Sequence, residues 1–493
     1  MFEPLKRLFR AIAAAPQRPM AADPEPASSS ASALYESAAR HYAQGALEDA
    51  LEAVQRAAAL APGEAAICNL LGTVLIGLGR SHEAVAEFRR ALALDPQSAD
   101  AHSNLGYVLL RHFEEVDEGA AYIEAALQVD PQHADALCNQ VMALRYRGKL
   151  AEALTLSEWL LERAPDDQLQ LNRALMLLTL GDFARGWDEY EARKRLVPNS
   201  GPLPCPEWNG EPVGDKTLLV QGEQGLGDQI MFASCLHDLG AFARHCIFET
   251  DARLVSIFAR SFPRVKCYEA RQGPRGWAVD AIKPDLCVKI GSLPRFFRRA
   301  PSAFPRHAGY LRPDPLRVQR WQARLRELPG ILKVGVAWRG GVDSTRRGLR
   351  SIPLGQWRPA LCVPGVDFVS LQHGDCRDEL AQVEQAHGVT LHRWQEAIDD
   401  YEETAALVVS LDLVISVQTA VVHLAGALGQ SVWALIAAIP EWRYLATGEA
   451  MPWYPGVRLM RQSEVGEWAP VLERVGQELA ALSAHAKNGS LGC

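Results

Sequence analysis

The stretch Leu219 to Phe232 reads LVQGEQGLGDQIMF: a short apolar run, then Gly222, Gly225 and Gly227, then Asp228 at the head of an amphipathic segment. The glycines are spaced G-x-x-G-x-G, the reverse of the dinucleotide fingerprint G-x-G-x-x-G, and no Lys-Ser/Thr pair follows as a phosphate loop requires. The stretch therefore supports neither a nicotinamide site nor an ATPase site. A carboxylate at a helix start has two uses. It can cap the helix by accepting backbone N–H bonds, or it can take a proton from an incoming hydroxyl. Gln224, Gly225 and Gly227 beside it would form the loop that a bulky acceptor approaches, because glycine leaves the backbone open.

Two further stretches suit an anion. In WRGGVDSTRRGLRSIP, Arg339 ends a strand, and Arg346, Arg347 and Arg350 precede a helix expected near Pro353. Guanidinium forks match phosphate oxygens bidentately, which favours Arg339 and Arg350, with Arg347 beside them; a solvated basic loop is the plain alternative. In SVQTAVVHLAGALG a strand ends at Ser416 and a helix begins near Thr419. The free N–H groups and positive dipole end of that helix, at Thr419 and Ala420, can receive phosphate. His423 lies four residues after Thr419, on the same face, and either bonds a phosphate or ribose or is a satisfied core residue. Gln372, after VDFVSL, either faces the nucleotide or packs at a strand end. Glu441 and Arg443, in EWRYLATGEAMPWYP, either contact the ligand or pair with each other, while the tryptophans and Tyr454 close the cleft edge.

These residues need parallel α/β units to position them. Short β-rich runs alternate with helical ones after residue 215. TLLVQ, HCIFET, VKCYE and DLCVKI form a first set, with helices such as 229–239 and 251–261 between them. ILKVGVAW, VDFVSLQ, VTLHRW, DLVISV, SVWALI and VRLMR form a second. The reading is two Rossmann-like domains, an acceptor-side domain over 216–327 and a nucleotide-binding domain over 328–465, followed by a C-terminal helix and tail over 466–493. Facing strand ends of such sheets make the cleft where ligands bind.

Upstream, Pro62, Pro96, Pro131 and Pro165 fall 34, 35 and 34 residues apart. Ala50, Ala84, Ala120 and Ala153 supply small residues where paired helices approach, Gly45, Gly79 and Gly148 mark turns, and Gly72 and Gly106 repeat inside first helices. Residues 31–195 thus read as about five tetratricopeptide-type helix pairs, the fifth with an atypical second helix and the third with one inserted residue around RHFEEVDEG. Such units stack into a superhelix whose groove receives an extended peptide or a partner's helix, or simply supports the following domain. Residues 1–30, rich in Pro, Ala and Ser, read as a flexible leader, and 196–215, rich in Pro and Gly, as a linker leaning on its neighbours through Trp208.

A chain of 493 residues with 48% hydrophobic and 22% charged residues is neither disordered nor fibrous. The net charge of −8 implies no general nucleic-acid affinity, and the acidity is concentrated in residues 31–200. The 10 cysteines form no C-x-x-C pair, arguing against a zinc site or disulfide framework and for a reduced, cytoplasmic compartment. Lys6, Arg7 and Arg10 precede only AIAAA, too short for a signal-peptide core, and no apolar run is long enough to span a membrane.

GEQGLGDQIMF, KVGVAWRGG, RSIPLGQW, FVSLQ, DLVISVQTAVVHLAGALGQSVWALI and PEWRYLATGEAMPWYPGVRLMRQ, in this order, resemble the bacterial tetratricopeptide-repeat glycosyltransferases. The catalytic half of these is similar to the heptosyltransferases (glycosyltransferase family 9-like) of the GT-B fold, and the similarity covers most of residues 30–465. The resemblance implies an α-helical repeat superhelix followed by a GT-B pair of Rossmann-like domains. It implies Asp228 as catalytic base and inverting transfer from a nucleotide sugar without metal or other cofactor. Arg339, Arg347, Arg350, Gln372, Gln418, Thr419, Ala420 and His423 would then lie on the donor side. Many heptosyltransferase-like sequences carry aspartate where this chain has Gln418, so an ADP-heptose donor is put in doubt. The repeats imply a protein acceptor, with flagellin or another surface protein as the family's example. A non-catalytic interaction scaffold and a saccharide-directed heptosyltransferase-like enzyme are the rival readings.

Overall fold

The computed structural model describes residues 30–196, 205–270, 283–341 and 347–490. The leader before residue 30, the first half of the linker and Arg346 lie outside the described residues. The chain divides into two compact units, one ending at Gln170 and one beginning at Leu171.

The first unit is a run of antiparallel helix pairs: α1 (Ala31–Gln44) with α2 (Leu47–Leu60), α3 (Ala65–Gly77) with α4 (Ser81–Leu94), α5 (Ala99–Val108) with α6 (Val116–Val129), and α7 (Ala134–Tyr146) with α8 (Leu150–Arg163). The four repeating alanines are fully buried. Gly45, Gly79 and Gly148 turn the chain at φ near +75°, a left-handed conformation that a β-carbon would strain. The inserted residue of the third pair is absorbed by a π-turn at Leu109–Phe113 that closes through Glu114 at φ 62°. A π-turn widens one helical turn by a single residue, so the repeat phase resumes in α6.

The boundary falls inside α9 (Asp167–Thr179), so the end of α9, α10 (Phe183–Tyr190) and α11 (Arg193–Leu196) belong to the second unit. The fifth repeat of the sequence reading therefore has a different partner. Trp187 is buried and its indole N–H donates to the Arg298 carbonyl at 2.9 Å, and its ring meets those of Phe232, Trp442 and Trp453. The aromatic side chains that make α10 atypical are those that seal it onto the α/β core.

The rest of the second unit runs β1 (Gly214–Gln221), α12 (Leu226–Ala233), α13 (Leu236–Leu239), β2 (Ala243–Thr250), α14 (Val255–Ser261), β3 (Val265–Glu269), β4 (Leu286–Lys289), α15 (Pro294–Phe297) and α16 (Pro315–Arg326). It continues with β5 (Leu332–Ala337), α17 (Arg358–Leu361), β6 (Val366–Ser370), α18 (Arg377–His387), β7 (Leu391–His392), α19 (Gln395–Asp399) and α20 (Tyr401–Val409). It ends with β8 (Leu413–Val417), α21 (Ala420–Ala427), β9 (Val432–Ile436), β10 (Val457–Arg461) and α22 (Ala469–Ser490). Among the described residues the strands form two wholly parallel sheets, ordered β3-β2-β1-β4 and β10-β9-β8-β5-β6-β7.

These ten strands coincide with the ten β-rich runs. Helices cover both faces of a parallel sheet, so its central strands are apolar throughout; every residue of β8 is buried. Each sheet reverses its winding once, between β1 and β4 in the first and between β5 and β8 in the second. Chain leaving the strands at these points diverges to opposite faces and opens a crevice. The architecture is tetratricopeptide-type repeats followed by two parallel α/β domains, consistent with the GT-B arrangement.

Candidate functional site

Both crevices open into one cavity of about 980 Å³ within the second unit. The loop after β1 contributes Gly225, Gly227 and Asp228. The loops after β5 and β6 contribute Arg339, Arg347, Arg350 and Gln372. The turn from β8 into α21 contributes Gln418, Thr419, Ala420 and His423, and the loop after β9 contributes Glu441, Arg443 and Tyr444. Gln224 is absent from this lining.

The glycine loop is fixed from behind. Gln224 has φ 64°, a conformation costing a non-glycine residue about 1–2 kcal/mol. Its amide is held by the Tyr190 hydroxyl, donating Nε2–H at 2.7 Å and accepting at Oε1 at 3.0 Å. Beside it, Glu223 accepts from Arg193 Nη2 at 2.6 Å and from the Gly291 N–H at 3.0 Å. Arg193 is buried and also donates to Glu191 at 2.8 Å and to the Ser292 hydroxyl at 2.9 Å. Gln224 is thus a strut to α10, Gly225 is the open part of the wall, and Gly227 is packed against α21.

Gly225 is the cap of α12, and Asp228 stands three residues in, where its Oδ2 accepts the Gly225 N–H at 3.4 Å. Its other oxygen, Oδ1, accepts from Arg443 through Nε at 2.9 Å and through Nη2. The two side chains are each 15% exposed. Arg443 follows Trp442, whose ring lies 4.6 Å beneath the guanidinium, and its Nη1 donates to Glu441 Oε2 at 2.7 Å. Burial works against the Arg443 cation, but the charges of Asp228 and Glu441 outweigh it and raise its pKa. Leu445, at φ 58°, ends this turn, and Arg461 of β10 pins the loop by donating to the carbonyls of Tyr444, Leu445 and Gly448. Two of the four non-glycine residues with positive φ among those described, Gln224 and Leu445, therefore flank the loops that carry this ion pair.

Next to the glycine loop Thr419 caps α21, accepting the Val421 N–H at 3.1 Å, while its hydroxyl meets that of Ser416 at 3.0 Å. Gln418 is buried; Oε1 accepts the Ala437 N–H at 3.3 Å, and Nε2 has no acceptor among the described residues. Arg339 donates to the Asp375 carbonyl at 2.7 Å and pairs with Glu379 at 2.9 Å. Arg350 lies 3.5 Å from Glu441 Oε1, and Arg347 is exposed at the rim.

Two residues are more tied than a ligand contact requires. Gln372 accepts the N–H groups of Trp338 and Arg339 at 3.0 and 2.8 Å and donates to the carbonyls of Arg339 and His373 at 3.2 and 3.0 Å. It clamps the ends of β5 and β6 together. His423 faces the Tyr454 hydroxyl at 3.2 Å through Nδ1 and that of Tyr444 at 3.5 Å through Nε2. Burial first, and the Arg443 charge second, push its pKa down to about 3, so the ring is neutral. It also spaces the two helix starts, because a β-carbon on Gly227 would stand 2.9 Å from His423 Cδ2. The Asp228–Arg443 pair was not readable from sequence, since 215 residues separate its members.

The tetratricopeptide repeat family matches residues 69–134 and 138–200. Protein FlbA of Caulobacter vibrioides is 33% identical over 456 residues, covering 88% of this chain and 70% of its own length. The chain belongs to the FlbA family. Among solved structures, the thermophilic tetratricopeptide-repeat protein TTC0263 of Thermus thermophilus is 17% identical, covering 34% of this chain and 92% of that one, with a TM-score of 0.31. A MamA fragment from Desulfovibrio magneticus is 20% identical over 34% of this chain and 90% of its own, with a TM-score of 0.27. At such scores neither structure bears on the cavity. Among the described residues no helix is long and apolar enough to cross a membrane.

Proposed function

We propose that this FlbA-family protein is a glycosyltransferase that holds a nucleotide sugar in the cavity and transfers the sugar, with inversion and without a metal, to an acceptor hydroxyl. The observation that carries the reading is convergence: one cavity gathers a carboxylate from the first α/β domain and arginines and a helix start from the second. Asp228 takes the acceptor proton, a contribution of order 10²–10⁴ in rate. Arg339, Arg347 and Arg350, with the N–H groups at Thr419 and Ala420, receive the departing diphosphate. The Gln418 amide, with an unused N–H, suits a phosphate or sugar oxygen. Gln372 and His423 set the cavity walls, and the repeats select a protein acceptor in the cytoplasm, such as flagellin or another surface protein.

One observation favours a scaffold whose α/β half does not turn over: Asp228 is engaged by Arg443. Calorimetric titration with a panel of nucleotide sugars separates the readings. The glycosyltransferase reading expects one donor to bind, and Arg350→Ala to weaken it about tenfold or more, since a hydrogen bond to a charged group contributes about 1.5–3 kcal/mol. A folded protein that binds no donor would leave the scaffold.

A further inference from the structure

Four of the charged groups that line the cavity form an alternating series: Arg350, Glu441, Arg443 and Asp228. Arg443 is the shared member. Its Nη1 holds Glu441, while Nε and Nη2 both hold the same oxygen of Asp228. The Asp228 carboxylate is thus bound by a cation on one oxygen and by a single long backbone bond on the other. A base held this way has one oxygen occupied by guanidinium N–H groups. Yet the guanidinium fork that holds it is equally suited to phosphate oxygens, and Arg350, at the far end of the series, faces the same space.

We infer that Arg443 is a two-position residue that pairs either with Asp228 or with the diphosphate of the donor, so that donor binding frees the base. This rests on the glycosyltransferase reading. A diphosphate seated at Arg350 and the start of α21 attracts Arg443 and competes with Asp228 for its donors. Released, Asp228 accepts the proton of the acceptor O–H. The acceptor oxygen forms a bond to the anomeric carbon as the bond from that carbon to the diphosphate oxygen breaks, and the electron pair leaves with the diphosphate, where Arg443 now stands. Without a donor the carboxylate stays masked; with one, base and leaving-group contact are set together.

Because the coupling is reciprocal, whatever removes the Asp228 charge must strengthen diphosphate binding through Arg443. The full-length wild type, Asp228→Asn, Arg443→Gln and the double variant are titrated calorimetrically with inorganic pyrophosphate and with ADP, GDP, UDP and CDP. Loss of a negative charge near the site tightens binding in any background, so the double-mutant cycle isolates the exchange. Asp228→Asn should tighten the best-bound diphosphate about tenfold when Arg443 is present and about twofold or less in the Arg443→Gln background, a coupling within the usual 5–150-fold range. Equal tightening in both backgrounds overturns the exchange and leaves the glycosyltransferase reading intact. Failure of every diphosphate to bind any folded variant removes that reading and the exchange together. Should Arg443→Gln not fold, as judged by its circular dichroism, Arg443→Lys replaces it. Lysine keeps the charge and loses the fork, so the tightening caused by Asp228→Asn should be at least about threefold smaller in the Arg443→Lys background, and an undiminished tightening there rejects the exchange.

Discussion

His423 gives the site a measurable acid sensitivity. It is buried at 5% exposure, its nitrogens face Tyr444 and Tyr454, and Arg443 adds repulsion, so its pKa is about 3 against an ordinary value of about 6.5. The folded state keeps the ring neutral while the unfolded chain takes up a proton first. Stability from this group is therefore fully present above about pH 6.5 and is lost as pH falls from there toward 3. Linkage gives a loss of about 2 kcal/mol between pH 7 and pH 5. His423→Gln can still bond both tyrosines but has no proton to gain. Urea unfolding of both proteins is followed by tryptophan fluorescence, which reports the second unit because only Trp159 of the 12 tryptophans precedes residue 171. The wild-type advantage over the variant should shrink by about 2 kcal/mol from pH 7 to pH 5. Asp228 and Glu441 are present in both proteins and cancel from that difference. A difference that stays constant with pH would mean that the ring is hydrated or charged in the folded protein, contradicting its place between the helix starts.

Gly227→Ala places a methyl 2.9 Å from His423 Cδ2 and 3.5 Å from Ala420 Cα, and His423 is held by tyrosines, so the helices must part. The expected loss is about 1–3 kcal/mol in urea, with turnover reduced on the order of a hundredfold if Asp228 moves by an ångström. Arg193→Met strands Glu223 behind the glycine loop, while Glu191 keeps Lys194, and should cost about 3 kcal/mol, read by the same unfolding assay. In the repeats, Gly106→Ala puts a methyl 2.6 Å from the Gly119 carbonyl oxygen and should lower the circular-dichroism unfolding midpoint, by about 1–3 kcal/mol in stability.

What the sequence disclosed and what it hid follow from the range of the forces involved. Repeat spacing and β-rich runs are local signals, and the four helix pairs and ten strands stand where those signals lie. The third pair's extra residue was visible as a slip in period, though not its solution as a π-turn. Residues at strand ends were placed near the cavity by topology, but their use depends on partners. The backbone groups that occupy Gln372 belong to the loops after β5 and β6, and the tyrosines that hold His423 come from the loop after β9. The α10 segment kept the period of a repeat while its aromatic face found the α/β core. Asp228 read as a helix cap or a base, and its ion pair stayed hidden because the counter-ion lies on a loop of the other sheet, which only the paired crossovers bring near.

The most direct test of the account is nucleoside diphosphate release from the donor that binds best, compared between wild type and Asp228→Asn at saturating donor and acceptor. Turnover should be at least about a hundredfold lower in the variant, as loss of a general base requires, with donor affinity undiminished. Equal turnover in the two proteins would contradict it, and Asp228 would then be an ion-pair partner of Arg443 with no part in chemistry.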